Sequence, residues 1–79
     1  MDAIVGEIVR RKLDAGILPN EVPSLVWSGY GTGHSCIVCE QPILQDHTEY
    51  EAQYDDRPVI RFHIGCHGVW REEVQRRGS

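Results

Sequence analysis

The most informative parts of this chain are two short motifs, Cys36-Ile37-Val38-Cys39 and His63-Ile64-Gly65-Cys66. The first reads Cys-x2-Cys, the second reads His-x2-Cys, and 23 residues separate them. Three thiolates and one imidazole form the Cys3His set that holds a structural zinc ion in tetrahedral coordination. The spacing therefore predicts one structural Zn2+ whose ligands are the four residues Cys36, Cys39, His63 and Cys66.

Other interpretations of these residues compete with zinc. Cys36 and Cys39 by themselves match a redox pair, but the βαβ setting of a thioredoxin-like motif is missing. Iron-sulfur clusters normally take four thiolates, whereas one of the four residues here is a histidine. The simplest alternative is a pair of small buried thiols with an unrelated histidine. His34, two residues before Cys36, would replace a ligand if one of the four is misassigned.

The length of the chain makes a metal the natural source of stability. Its 79 residues predict a single domain over residues 1–79. A chain this short buries only about 60% of its unfolded surface, so small proteins usually add disulfides, a metal or a partner chain. Three cysteines cannot all pair within one chain. We see no leader sequence and no apolar run long enough for a membrane span, and we expect a cytoplasmic protein.

The first apolar pattern predicts a helix over residues 2–15. Its apolar residues recur at steps of three and four and form one stripe: Ile4, Val5, Ile8, Val9 and Leu13. Gly16 has the position of a C-cap, and Pro19 follows it closely. We expect the stripe to pack within the chain, against the zinc-binding part. A homodimer assembled through this helix is the alternative.

Residues 17–35 are predicted to be an irregular loop, because two prolines and three closely spaced glycines interrupt any regular pattern. The main large apolar side chain in this stretch is Trp27. Its simplest role is a core plug that fixes the loop. A surface tryptophan used for recognition is the alternative.

The segment between the two motifs predicts a hairpin, with strands at Glu49–Tyr54 and Val59–Phe62. In the first strand apolar and acidic residues alternate, which places Glu49 and Glu51 on an exposed face. From about residue 65 to 77 the apolar residues again follow helical spacing. We expect His67, beside the last ligand, to face solvent or to bond a carboxylate.

A knuckle, a hairpin and a helix whose first turn supplies the second ligand pair resemble a treble-clef zinc finger over about residues 34–77. LIM modules share the Cys-x2-Cys and His-x2-Cys pattern. The chain also resembles small, mostly uncharacterised bacterial zinc-binding proteins, through Pro42-Ile43, Glu49-Tyr50-Glu51, Arg61-Phe62-His63 and Trp70. The resemblance implies an α+β fold, with a zinc-stabilised treble clef over residues 36–77 and an added N-terminal helix. Many such knuckles carry glycine after the second cysteine, where this chain has Glu40.

No catalytic arrangement stands apart from the predicted ligands. Four protein ligands close the coordination shell, whereas a catalytic zinc keeps one position open for water. The deaminase signature and the His-Glu-x2-His motif of zinc proteases are both absent. We therefore expect a protein that is not an enzyme.

The leading functional hypothesis is docking onto another protein, or regulation through such an interaction, with Trp27 and Tyr30 as candidate contacts. Six acidic and no basic residues lie between Glu40 and Asp56, which suits a basic partner. The alternative is a transcription-related, nucleic-acid-binding zinc finger that uses basic residues near both ends: Arg10, Arg11, Arg76 and Arg77. The formal net charge of -4 does not favour binding to nucleic acid by overall charge.

Overall fold

Two helices and a three-stranded antiparallel sheet make up the fold, which is α+β. The computed structural model describes residues 2–78, with side chains from Ile4 onward. In chain order its elements are α1 (Asp2–Asp14), β1 (Leu25–Tyr30), β2 (Thr48–Gln53), β3 (Ile60–His63) and α2 (Ile64–Gly78). Within residues 2–78, no helix is long and apolar enough to cross a membrane.

Helix α1 ends where the sequence predicts, at a glycine in the left-handed region. Gly16 has a φ of 76°. Its N–H donates to the carbonyl of Leu13 at 3.2 Å, and the N–H of Ile17 donates to the carbonyl of Lys12 at 2.9 Å. These two bonds form a Schellman motif, which satisfies carbonyls that the helix end would otherwise leave without partners.

The apolar stripe of α1 packs inside the chain, as predicted. Helix α1 lies against α2, and Val9 and Leu13 belong to the buried core. Ile4, one turn before Ile8, is 63% exposed and lies outside that core. Val5 and Ile8 pack against the same core and are partly buried, and the C-terminal half of α1 brings Lys12 toward the knuckle.

The prediction of an irregular loop over residues 17–35 is wrong for Leu25–Tyr30, which forms β1. Strand β1 pairs with β2 in a register that joins Leu25 to Gln53 and Tyr30 to Thr48. Nearly every residue of β1 is exposed, so the strand has no buried face and no alternation of apolar and polar residues. Its hydrogen-bond partners are distant in sequence, and a local pattern cannot reveal them.

The hairpin and the last helix form where the sequence predicts, with ends shifted by one residue. Strand β2 begins one residue earlier than expected, and β3 begins one residue later. Strand β3 continues directly into α2 without a loop. In the core, Phe62 stacks on Trp70 with ring centroids 4.7 Å apart. The indole N–H of Trp70 donates to the carbonyl of Pro19 at 3.0 Å, so this buried tryptophan fixes the segment that follows α1.

Candidate metal centre

The Cys36–Cys39 segment forms a tight turn whose closing residue has an unusual backbone. The N–H of Glu40 donates to the carbonyl of Cys36 at 2.9 Å, and the N–H of Cys36 donates to the carbonyl of Gln41 at 2.9 Å. Glu40 has a φ of 64°, in the region that glycine adopts most easily. The chain therefore makes the knuckle turn with a glutamate at the position where a glycine is common.

The second pair of candidate ligands lies at a junction between two elements. His63 is the last residue of β3, and Cys66 lies in the first turn of α2. Because no loop separates these elements, the sheet and the helix together fix the relative position of the two side chains. The knuckle is attached to the same strand, since the N–H of Ile37 donates to the carbonyl of Arg61 at 2.9 Å.

The four side chains predicted from sequence converge on one point. The sulfur atoms of Cys36, Cys39 and Cys66 and a ring nitrogen of His63 all lie within 4.8 Å of one another. Tetrahedral bonding at about 2.3 Å places two sulfurs roughly 3.8 Å apart, so small shifts bring this set onto one ion. The four residues are positioned to bind a single metal ion, and the set is compatible with one structural zinc.

The orientation of His63 leaves the correct nitrogen available. Nδ1 of His63 lies 3.3 Å from Sγ of Cys39, inside the cluster. Nε2, on the other side of the ring, lies 3.2 Å from the carbonyl oxygen of Pro42. A carbonyl only accepts hydrogen bonds, so Nε2 carries the proton and Nδ1 keeps its lone pair. Metal-binding histidines are commonly oriented by this kind of outer hydrogen bond.

The sulfur atoms differ in proton affinity. The Cys66 thiol has the largest effect on the pKa of Cys36, and the backbone N–H groups of Cys39, His63 and Val38 act in the same direction. These donors outweigh the effect of burial and lower the pKa of Cys36 to about 4. The hydrogen bond to Cys36, together with burial, raises the pKa of Cys66. The low pKa favours the thiolate form of Cys36, and a bound divalent cation would favour loss of the protons from all three thiols.

A lysine from α1 stabilises the knuckle from outside the cluster. Nζ of Lys12 donates to the carbonyl of Ile37 at 2.7 Å and to the Glu40 carboxylate at 2.8 Å. The sequence alone does not single out Lys12, because it is one of three consecutive basic residues near the end of α1. A charged side chain at the border of an apolar stripe was the only available signal.

The remaining histidines lie outside the cluster. Nδ1 of His34 lies 2.6 Å from Oγ1 of Thr32, so His34 has a partner other than the metal site. His47 accepts a hydrogen bond at Nδ1 from the N–H of Leu44 at 3.2 Å. The expectation that His67 faces solvent or a carboxylate is wrong. Its ring is buried, and it contacts the rings of Tyr50 and Trp70.

The two aromatic candidates for binding are both on the surface. Trp27 is 56% exposed and Tyr30 is 84% exposed, so Trp27 is not a core plug. The predicted exposed face of β2 is also wrong for one residue. Glu49 is only 3% exposed, because Thr32 covers it and Arg61 lies beside it.

Three of the four basic residues proposed to bind nucleic acid lie close to acidic side chains. Arg77 lies 2.9 Å from Asp14, which joins the ends of the two helices. Arg76 and Arg77 also pair with Glu73, and Arg10 lies 3.9 Å from the same carboxylate. Arg11 is exposed. The packing of α1 on α2 therefore does bring the basic ends together, but it places acidic side chains among them.

Comparisons of the chain with protein families, with curated proteins and with solved structures found no match. The assignment of a metal centre therefore depends on the geometry of the four side chains themselves.

Proposed function

We propose that this protein is a non-enzymatic, zinc-stabilised module of the treble-clef type that docks onto another protein. The observation that carries the zinc assignment is the convergence of three cysteine sulfurs and one correctly oriented imidazole within 4.8 Å. Four protein donors complete a tetrahedral shell, which is the arrangement of structural rather than catalytic zinc. Thiolate ligands persist in a reducing compartment, so we keep the cytoplasm as the proposed location.

The treble-clef assignment is supported by the order of the elements around the cluster. The knuckle comes first, the β2–β3 hairpin follows, and α2 supplies the last ligand from its first turn. In this arrangement the metal would join the knuckle, the β3 end of the hairpin and the first turn of α2. The energy of metal binding would then contribute directly to folding.

The docking role is supported by apolar side chains that the fold leaves on its surface. Leu25, Trp27 and Tyr30 on β1 are 46%, 56% and 84% exposed. Tryptophan and tyrosine are the residues most enriched at the energetic centres of protein interfaces. Burying them in a partner would remove apolar surface from water, which favours association.

Nucleic-acid binding through the helix ends remains the second candidate. The packing that brings Arg10, Arg76 and Arg77 onto one side of the molecule favours it. The ion pairs with Glu73 and Asp14 weigh against it, because these contacts reduce the positive charge available to phosphates. Binding to mixed DNA at about 50 mM salt, falling steeply as salt is raised, would identify this activity.

The direct test of the module is metal content and native mass, measured on protein that was never exposed to a chelator. We expect one zinc per chain. The docking role is then tested by affinity capture with the zinc-loaded protein, compared with a Trp27→Ala, Tyr30→Ala double variant. Recovery of the same proteins by both forms would contradict docking through these two aromatic side chains.

A further inference from the structure

The two edges of the sheet are covered to different extents. At the β3 edge, the N–H of Ile37 in the knuckle donates to the carbonyl of Arg61. Among the described helices and strands, β1 contacts β2 alone, so its outer side has no neighbour of this kind. A strand edge with unpaired N–H and C=O groups is a template for another strand.

The pairing with β2 indicates which backbone groups of β1 point outward. The N–H of Gly31, just after the strand, donates to the carbonyl of His47 at 2.9 Å, and the register continues through Gly29 with Glu49. In an antiparallel pair such hydrogen-bonded positions alternate with positions that face away. Ser28 lies between them, so its N–H and C=O point away from β2, as do those of Val26 and Tyr30.

The β1 edge also lacks the features that usually protect an edge strand. Leu25–Tyr30 contains no lysine, no proline and no other charged residue. Natural edge strands usually carry such residues to prevent pairing with other chains. An edge without them, flanked by exposed Leu25, Trp27 and Tyr30, is suited to receive an extended segment.

Next to this edge lies a small cavity with an acidic wall, which we call the acidic cavity. It has a volume of about 120 Å³ and is lined by Trp27, Ser28, Gly29, Tyr30, Thr32, Glu49 and Glu51. Gly29 leaves it open toward the β1 edge, because a Cβ built at this position meets no other atom within 4 Å. A side chain that entered from a neighbouring strand would therefore pass over Gly29 toward the two glutamates.

The charge of the acidic cavity favours a cation. Nε of Arg61 lies 3.3 Å from Oε2 of Glu49 and 3.7 Å from Oε1 of Glu51, so one guanidinium forms ion pairs with two carboxylates. One negative charge is left in excess. The indole of Trp27 beside these carboxylates adds a surface on which cations bind favourably.

We propose that an extended segment of a partner protein adds to the β1 edge as a fourth strand and places a lysine or arginine in the acidic cavity. This inference rests on the proposed docking role and names its mode. A second copy of this chain is a poorer occupant, because its own β1 offers no basic side chain to the cavity. The backbone of the segment would supply pairing, and its basic side chain would supply selectivity.

Short peptides test the proposal directly. We would titrate zinc-loaded, 15N-labelled protein with acetylated, amidated pentapeptides of the form Thr-Val-X-Val-Thr, in which X is lysine, arginine or glutamate. We expect the lysine and arginine peptides to bind at least about tenfold more tightly than the glutamate peptide. The backbone amide signals of Val26, Ser28 and Tyr30 should shift most.

Four variants test the parts of the proposal separately. Ser28→Pro removes an outward N–H, which an edge strand tolerates, and should abolish binding, whereas Ser28→Ala should not change it. Gly29→Val fills the entrance to the acidic cavity with a residue that suits a strand, and should remove the preference for lysine. Glu51→Gln should reduce the same preference. Heteronuclear spectra of each variant show whether it keeps the fold.

Several outcomes would overturn the proposal. These are equal binding of the lysine and glutamate peptides, no binding of any peptide at millimolar concentration, and binding that Ser28→Pro leaves intact. Dimers that form through β1 at high protein concentration would assign the edge to a second copy instead. If affinity capture of a partner survives Ser28→Pro, the docking role stands and only the mode fails. If no specific partner is captured by any form, the docking role fails as well.

Discussion

Nζ of Lys12 lies 2.8 Å from the carboxylate of Glu40, the residue that closes the knuckle with a φ of 64°. The same ammonium group donates to the carbonyl of Ile37, inside the Cys-x2-Cys turn. One side chain from α1 therefore fixes both halves of the turn that presents two candidate ligands. This contact joins the N-terminal helix to the metal centre and gives α1 a role beyond covering the core.

Removing the ammonium group should loosen the knuckle. We expect Lys12→Met to lower the free energy of unfolding by about 1 kcal/mol, because the carbonyl of Ile37 loses its side-chain donor. Transfer of zinc to a coloured chelator should also become several-fold faster. Arg11→Met changes an exposed neighbour on the same helix and is the control. Equal effects of the two substitutions would show that Lys12 acts only through its general charge.

The backbone of Glu40 gives a second, separable prediction. Glu40→Ala keeps a Cβ in the left-handed region and loses the carboxylate, whereas Glu40→Gly loses the carboxylate but relieves the backbone. We expect the glycine variant to be more stable than the alanine variant by about 1 kcal/mol. Thermal unfolding of the two zinc-loaded proteins measures this difference. If the alanine variant were the more stable, the turn would have to change its conformation when the carboxylate is removed.

Loss of one candidate ligand should cost the fold rather than a single activity. Cys66→Ser replaces a sulfur at the start of α2, and we expect the variant to lose cooperative unfolding and dispersed amide signals, because metal binding and folding are coupled. Circular dichroism and nuclear magnetic resonance, with and without added zinc, measure the effect. His34→Ala is the matched control, since His34 pairs with Thr32 outside the cluster. A Cys66→Ser protein that stays folded without metal would contradict a structural role for the ion.

The sequence predicted those features that depend on nearby residues. The residues of each pair, Cys36/Cys39 and His63/Cys66, are three positions apart, and α1 ends at Gly16 because that residue adopts a positive φ. The burial of Glu49 and the existence of β1 depend on residues far away in the chain. Strand β1 pairs with a segment about twenty residues later, and Thr32, which covers Glu49, lies 17 residues before it. No periodic pattern within either segment carries this information.

His67 offers a prediction about the core. Its side chain is 8% exposed, and Nε2 has no hydrogen-bond partner among the described residues. A buried polar atom without a partner costs on the order of 1 kcal/mol or more. We expect His67→Phe to keep the contacts with Phe62 and Trp70 and to raise the free energy of unfolding by about 1 kcal/mol. Denaturant unfolding of the zinc-loaded proteins measures this change in the free energy of unfolding. Marked destabilisation would mean that Nε2 has a partner, such as an ordered water.

The pH dependence of stability should report on Glu49. Burial raises the pKa of this carboxyl, but hydrogen bonds from the hydroxyl and N–H of Thr32, with the charge of Arg61, lower it more, and the net direction is down. The folded state then binds fewer protons than the unfolded state, in which the pKa is about 4.3. The stabilisation is complete above that value and is lost as the pH falls through the folded pKa.

Glu49→Gln isolates this contribution, because both proteins keep the same candidate metal ligands and lose zinc in acid alike. At pH 7 we expect the variant to be less stable by about 2 kcal/mol, since the Thr32 and Arg61 contacts lose a charged acceptor. The difference between the two proteins should shrink as the pH falls below the unfolded-state pKa of about 4.3 and then through the lower folded pKa of Glu49. Glu51→Gln, two residues along the same strand and 32% exposed in its side chain, should change stability far less. A difference that stays constant from pH 7 to pH 3 would mean that the charge of Glu49 contributes nothing, and that only the shape of the buried side chain matters.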